Sequence, residues 1–592
     1  MLISDTPLDR QFAACLRRFD PTMDVSVEWA AYLVSHALGE GHVCLDLQRW
    51  AEREIEPGLR LPTVSAWKGA LFSSAIVGGP NEFKPLIIEG THLYLARYWR
   101  YEKHLADHLS HRADQVCPKI DLERLTADLN RLFAHNVTLK QADWQKIAAA
   151  IAVLRRFCVI SGGPGTGKTS TVVRILAALQ SQSQGSLHIA LAAPTGKAAA
   201  RMQDAIRKQK LQLDMPAKII RSIPEATSTL HRLLGSKPDS VNFKHNRDNP
   251  LSVDVVVVDE ASMIDLALMA KLVDALPAKS RLILLGDKDQ LAAVEAGSVF
   301  GDICIDKGYS HSFSALLNQV TDVEMETNDA SPPPLRDCIA LLHHSHRFIN
   351  DSGIGELSRR INQPNGTQSV IGLLTNESFN DIGWRSQFDE IDLLGRMEQG
   401  YREFLDRVVD GSNGVDVLAA FNRFRVLVAH HEGSKGASSI NQMFETLLRE
   451  RLRTPRYERW FPGRPVMVTR NDYGMRLFNG DIGICLRLNG ELRICFEDSE
   501  GKLRTIAPAR LPDYALAYAM TVHKSQGSEF DQALFLLPET VSPVMNRPLV
   551  YTAVTRARHR IEIWGGQEVL TAAINKEPEH ISGLRGRLWG AT

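Results

Sequence analysis

Apolar residues along the 592-residue chain cluster in short unbroken runs, each followed by a glycine-rich or polar turn and then by helical spacing. Phe157 to Ile160, His188 to Pro194 (HIALAAP), Val255 to Val258 and Arg281 to Gly286 (RLILLG) are such runs. A run without polar alternation predicts a strand buried on both faces, as in a parallel sheet covered by helices. The pattern recurs at Val426 to Asn441 as strand, glycine-rich loop and helix. Arg456 to Pro512 differs. Its pieces VMVTRND, GICLRLN, LRICFED and LRTIAP are short alternating strands joined by Asn-Gly and Asp/Gly turns, which predicts a small inserted β-barrel. Val241 to Pro250 is polar and turn-rich, with hairpin character. Near the start, Val25 to Leu38 has amphipathic helical spacing. Leu86 to Tyr101 predicts two strands, or a strand and a helix, around Gly90. Trp99, Tyr101, His104, His108 and His111 follow at loose helical spacing. This N-terminal stretch carries no catalytic signature; a small domain with its own core and a partner-docking module both fit.

The strongest chemical signal lies in FCVISGGPGTGKTSTVVRIL. Gly162, Gly163, Pro164, Gly165, Thr166, Gly167, Lys168, Thr169 and Ser170 form a phosphate loop between the first predicted strand and a helix over Thr169 to Leu179. Glycines let several N–H groups face one point, and the helix N-terminus adds its positive end. Lys168 is expected at the β- and γ-phosphates of ATP, and the Thr169 hydroxyl on Mg²⁺. The run Val255 to Val258 ends in Asp259-Glu260-Ala261-Ser262. Asp259 is expected to hold Mg²⁺ through water, and Glu260 to orient and deprotonate the attacking water. Gln290, after Gly286-Asp287, falls where a side chain can sense the γ-phosphate. Gln145 precedes an alanine-rich helix ahead of the phosphate loop. Its amide suits the N6/N7 edge of adenine, although an exposed helix glutamine reads the same way.

Composition narrows the class. Lys+Arg and Asp+Glu both number 69, so any nucleic-acid surface must be local, which excludes a passive polycation. The eight cysteines form no C-x-x-C pair, which signals neither a zinc ribbon nor an iron–sulfur cluster. Their scatter fits a reducing compartment. The first residues lack a signal-peptide core, and no apolar run approaches the ~20 residues of a membrane span. A cytoplasmic protein without membrane contact is expected. The histidines His343, His344 and His346 share one element without an acid or cysteine partner, so a metal site is not indicated.

The motifs gain specificity from their order. The phosphate loop, Thr195-Gly196-Lys197-Ala198-Ala199-Ala200-Arg201, Thr229-Leu230-His231-Arg232, DEAS, GDKDQL, Leu341 to Phe348 (LLHHSHRF), MTVHKSQGSEF from Met520 and VYTAVTRAR from Val550 follow one another along the chain. This set resembles superfamily 1 DNA helicases. Across essentially the whole length it is most similar to the RecD family, the alpha subunits of exodeoxyribonuclease V. One departure is His346, where an aromatic residue commonly precedes the motif arginine.

The resemblance implies an α/β fold of two RecA-like P-loop motor domains with parallel sheets, an SH3-like β-barrel insert in the second, and a small N-terminal domain. The divisions expected are 1–118 for N-terminal docking, 119–325 for the first motor domain and 326–592 for the second, with the insert at about 456–512. Pro332-Pro333-Pro334, in an acidic run, marks the motor-domain boundary as a flexible segment. In a two-lobed motor the phosphate-binding lobe needs arginines from the opposite lobe to sense closure; Arg347 and Arg556 are the candidates. Gly527 and Glu529 are expected to border the nucleotide. Pro194, Thr195, Thr229, His231, Thr521, His523 and Lys524 are the candidate grips on single-stranded DNA, where stepping must not depend on sequence. The resemblance further implies 5′-to-3′ translocation, unwinding of duplex DNA, and a heterotrimer with beta and gamma subunits in double-strand-break repair and recombination. The nuclease activity would then belong to another subunit. A stand-alone superfamily 1 helicase and an ATP-regulated DNA-binding scaffold are the competing readings.

Overall fold

The computed structural model describes residues 6–590 apart from 116, 118–119, 135–142, 238–239, 306–307, 326, 328–333, 346, 349–351, 364–365, 377, 473 and 499–500. His346 and the prolines at 332 and 333 therefore lie outside the described residues.

Two parallel sheets form the body of the molecule. The first has six strands in the order Ile339–Leu342, Phe157–Gly162, Arg281–Gly286, Val255–Val258, Ile189–Ala193 and Thr227–Thr229. All neighbours pair in parallel. Each of the apolar runs found in the sequence is one of these strands. Val255–Val258 is buried throughout, as a central strand between helical layers must be. The second sheet has five strands in the order Ile382–Arg385, Ala557–Trp564, Phe530–Leu536, Phe424–Val428 and Ala519–Thr521. These too are parallel.

Short hydroxyl and acidic caps fix where the helices between strands begin. Asp143 accepts the first-turn N–H groups of helix Trp144–Leu154, and Thr195 caps Gly196–Lys210 in the same way. The phosphate-loop helix Lys168–Gln182 instead starts from left-handed Gly167 with no side-chain cap. Its first N–H groups are thus left to a ligand.

Between helix Ala437–Arg451 and strand Ala519–Thr521 the chain builds an antiparallel five-stranded sheet. Its order is Leu503–Ile506, Glu491–Glu497, Ile482–Leu488, Pro465–Val468 and Tyr514–Leu516, with a 3₁₀ turn at Pro508–Arg510 before the last strand. The last strand extends past the Pro512 limit read from the alternation. Val241 to Pro250 makes isolated bridges, Ser236 to Phe243 and Asn246 to Asn249, rather than a two-stranded hairpin.

The structure corrects the expected division near residue 325. Ile339–Leu342 pairs with the phosphate-loop strand, so the first sheet runs on to Leu342. A four-residue apolar strand carries no mark of which sheet it joins; only register against Val159 to Gly162 decides it.

The described C-terminal helix also returns to the N-terminal part. In the N-terminal part, strands Leu86–Glu89 and His92–Leu95 pair antiparallel and lead into helix Ala96–Asp114. That helix packs in one continuous core with Leu266, Met269 and Val273 of the first motor lobe. Buried Arg112 donates to the carbonyls of Leu276 and Pro277 at 3.3 and 3.2 Å. The chain's last helix, Leu584–Trp589, returns to the same core. There Glu102, fully buried, accepts from Arg587 Nε at 3.0 Å, the Gly583 N–H at 2.9 Å and the Tyr94 hydroxyl at 3.2 Å. Burial pushes the Glu102 carboxyl up and Arg587 opposes it. Among the described residues the N-terminal part and the first motor lobe share one packed core.

Candidate functional site

The phosphate loop lies at the C-terminal tip of the first sheet, where open α/β sheets bind ligands. Thr166 Oγ and Ser170 Oγ donate to the carbonyls of Gly163 and Gly167, both at 2.8 Å, and stiffen the turn. Lys168 Nζ folds onto the carbonyls of Gly162 and Gly163. Gly165, at φ +78°, faces the chain that leaves the edge strand Ile339–Leu342. A Cβ there would collide with Arg347 Cβ and Ser345 Oγ, so only glycine lets that chain lie on the loop. Ser345 Oγ fastens it by donating to the Pro164 carbonyl at 2.9 Å.

The acids follow from neighbouring strands. Asp259 extends Val255–Val258, and Glu260 turns into the left-handed region at φ 52°, giving its N–H to Asp259 Oδ1 at 2.9 Å. Burial and the Glu260 charge push Asp259 up to about 6, while Lys168 pulls it down. Asp287, at the tip of Arg281–Gly286, is pushed up to about 6 by burial, again against Lys168. Lys168 is thus the cation that both acids share. Gln290 is buried and donates its amide to Asp287 Oδ2 at 2.9 Å.

The second lobe closes over this group. Tyr551 OH donates to Asp287 at 3.1 Å, the Leu291 N–H donates to Thr552 Oγ at 3.0 Å, and Gln526 Nε2 donates to the Leu291 carbonyl at 2.9 Å. Arg556 ends helix Arg547–Thr555 and is 3% exposed. Its guanidinium is anchored to the carbonyls of Thr552 and Ser528 at 3.2 and 3.1 Å. Glu529 joins Arg347 and Arg558 in one ion cluster. Burial raises the Glu529 carboxyl, but Arg347, Arg201 and Arg558 outweigh it and hold it at about 2.

Arg347 is therefore at the seam, yet by a different route from the one expected. Its backbone leaves the first sheet, and only its side chain reaches the second lobe. One terminal nitrogen binds Glu529; the other, NH1, is buried and has no hydrogen-bond partner among the described residues. A buried guanidinium N–H without an acceptor is costly, and a phosphate oxygen in the cleft would satisfy it.

Two further nucleotide candidates, Gln145 and Gly527, lie at the loop and at the seam. Gln145 is beside the loop, but its Nε2 donates to the Thr166 carbonyl at 3.0 Å and its Oε1 accepts from Arg174 at 3.1 Å. Gly527 faces Ala198 of the first lobe across the seam.

The candidate DNA grips gather on the tips of three strands. Pro194 and Thr195 follow Ile189–Ala193, Thr229 ends the adjacent strand, and Thr521 ends Ala519–Thr521 in the second sheet. Thr195, Thr229 and Thr521 Oγ each accept a backbone N–H, from Ala198, Arg232 and Lys524. That orients each hydroxyl while leaving its own O–H to give to a phosphate. Burial pulls His231 and His523 below the ordinary imidazole range, so they offer a neutral ring rather than charge. Lys524 is exposed. The insert reaches the same place: Phe478 lies against Gly196. Lys197 donates to Ser528 Oγ at 2.7 Å, and burial beside Arg201 and Arg425 pulls it down to about 7.

Lys197, Arg201, Asp287 and Tyr551 were missed as site residues, although each lies inside a motif already noted. Spacing finds the motif; which side of it faces the other lobe is settled by packing.

A phosphate loop on one parallel sheet, closed by a second parallel lobe carrying a buried arginine, defines a two-lobed motor of the superfamily 1 helicase class. Residues 145–296 match an AAA domain and 516–562 a UvrD-like helicase C-terminal domain. Residues 6–94 match the N-terminal domain of the RecBCD enzyme subunit RecD. The chain is 34% identical to the RecBCD enzyme subunit RecD of Haemophilus influenzae, over 95% of this chain and 93% of that protein. It is 36% identical to the subunit of the same name from Mycolicibacterium smegmatis, over 98% and 97%. An ATP-dependent RecD2 DNA helicase of Deinococcus radiodurans is 31% identical over 72% of this chain and 49% of its own length. The chain belongs to the RecD family.

Proposed function

We propose that this protein is an ATP-driven translocase that moves 5′ to 3′ on single-stranded DNA and unwinds duplex. It would be the motor subunit of an exodeoxyribonuclease V heterotrimer with beta and gamma subunits in the cytoplasm, serving double-strand-break repair and recombination. The carrying observation is the terminal nitrogen of Arg347 that has no hydrogen-bond partner among the described residues, buried beside the phosphate loop that holds Lys168.

In this reading the loop N–H groups and Lys168 hold the β- and γ-phosphates. Glu260 orients and deprotonates the attacking water, and Gln290 senses the γ-phosphate. Arg347 and Arg556 neutralise charge that builds on the transferred phosphoryl group. Thr169 and Asp259, one hydroxyl and one carboxylate, suit Mg²⁺, which keeps waters and arrives with phosphates. Among the described residues no group of three or more His, Cys, Asp or Glu is arranged to hold a metal alone. Held by Thr169 and Asp259, Mg²⁺ would supply positive charge that offsets that of the phosphates.

Opening and closing of the seam would move the grips of the two lobes, Thr195 and Thr229 against Thr521 and Lys524, along one strand. The strand order 5-1-2-3-4 of the insert, with a 3₁₀ turn before its last strand, supports an SH3-like reading, and the insert would cover the DNA strand at Phe478. The N-terminal part would dock the gamma subunit. Residues 119 to about 347 would form the first motor domain and the remainder the second.

ATP hydrolysis by the purified protein is expected to rise on adding single-stranded DNA of any sequence, and DNA affinity to fall steeply with salt. A strong preference for one duplex sequence, or hydrolysis indifferent to DNA, would contradict the proposal.

A further inference from the structure

We propose that Tyr551 is a positioning residue for ATP hydrolysis, holding Asp287 from the opposite lobe and through it the amide of Gln290. The inference rests on the seam being the hydrolytic site.

Four contacts carry it. Asp287 Oδ2 accepts both Gln290 Nε2 at 2.9 Å and Tyr551 OH at 3.1 Å, so one carboxylate oxygen joins the two lobes. Asp287 is 1% exposed and Tyr551 5%, so water does not compete for either. The Tyr551 hydroxyl also lies over the phosphate loop: a Cβ on Gly163 would stand 2.9 Å from it. The next residue on the same helix, Thr552, takes the N–H of Leu291, the residue after Gln290. The tip from Asp287 to Leu291 is thus held at both ends by consecutive side chains of one helix, whose last turn leads into Arg556.

The consequence is mechanical. An amide donating one N–H to a fixed acceptor has fewer orientations open to its free end. If the lobes part, the Tyr551 hydroxyl leaves Asp287, and the acceptor that aims Gln290 loses half its support. Closure would therefore set Gln290 and deliver Arg556 in the same movement.

The test uses the full chain, with its co-purifying partners where present. It compares ATP turnover on saturating single-stranded DNA for Tyr551→Phe, Asp287→Asn and the double variant. Tyr551→Phe keeps the ring and its packing. It is expected to lower kcat about tenfold, the value of one hydrogen bond to a charged group, with KM and the affinity for a fluorescent ADP analogue within about twofold. Asp287→Asn probes the same link from the first lobe, whether or not the tyrosine variant folds, and is expected to lower kcat similarly. Because the tyrosine acts through the aspartate, the double variant should be no slower than the worse single one. Unchanged kcat in Tyr551→Phe, a loss confined to KM, or multiplying losses in the double variant would overturn the inference. Lys168→Gln is run alongside. If it is inactive while Tyr551→Phe matches the unmodified protein, only this inference falls. If the unmodified protein hydrolyses no ATP, the parent reading falls and takes this one with it.

Discussion

Lys168→Gln is expected to abolish ATP hydrolysis and all strand separation while leaving the fold intact. Glutamine keeps most of the length but loses the charge that meets the β- and γ-phosphates. Removing one fixed electrostatic partner of a transition state costs on the order of 10²–10³ in rate. Here a second loss adds to the first. Burial already lifts Asp259 and Asp287 to about 6, and Lys168 is the cation that pulls both down. Without it both carboxyls lose the cation that holds them down, so the acids beside the phosphate loop are disturbed together with the phosphate side. The fold should survive, because among the described residues the hydrogen bonds of the side chain go to the loop carbonyls of Gly162 and Gly163, not to the core. Steady-state ATPase and thermal melting on the same samples check this. Measurable turnover with an unchanged melting temperature would refute the phosphate assignment.

Arg556→Ala should remove turnover nearly as completely, with nucleotide affinity largely kept. An arginine supplied across a seam is worth about 10³–10⁵ in kcat where it stabilises a transferring phosphoryl group. Arg556 is built for that: it is 3% exposed, and two backbone carbonyls of its own lobe fix its guanidinium in advance. Arg556→Lys should not rescue, because an ammonium cannot match that planar fork. Arg558→Ala is the contrast. Its side chain is 47% exposed and pairs with Glu529, so a small effect is expected. Comparing kcat with the dissociation constant of a nonhydrolysable ATP analogue separates the outcomes. A loss of binding equal to the loss of turnover would place Arg556 in a structural role.

What could be read without coordinates follows from what is local. The unbroken runs at Phe157, Val255 and Arg281 became central parallel strands because burial on both faces leaves no polar alternation. The phosphate loop and the Asp259-Glu260 pair were legible because a fixed spacing must meet a fixed ligand. Ile339–Leu342 fell beyond the division expected near residue 325 because four apolar residues name no neighbour. The return of Leu584–Trp589 to the N-terminal core joins residues hundreds of positions apart, which no periodicity reports. Gln145 shows the limit of residue type. Its amide was read for adenine, and what residue type could not report is that it also ties the phosphate loop at Thr166 to Arg174. Asp287 and Tyr551 were in view inside GDKDQL and VYTAVTRAR, but the bond between them exists only once the lobes meet.

Strand displacement measured on duplexes with a single-stranded tail at one end tests the whole account most directly. With ATP and Mg²⁺, the protein and its co-purifying partners, with any partner motor inactivated, should separate the 5′-tailed duplex and leave the 3′-tailed one paired. Lys168→Gln should separate neither. Displacement from the 3′ tail alone, or vigorous ATP hydrolysis that separates no strands, would contradict it.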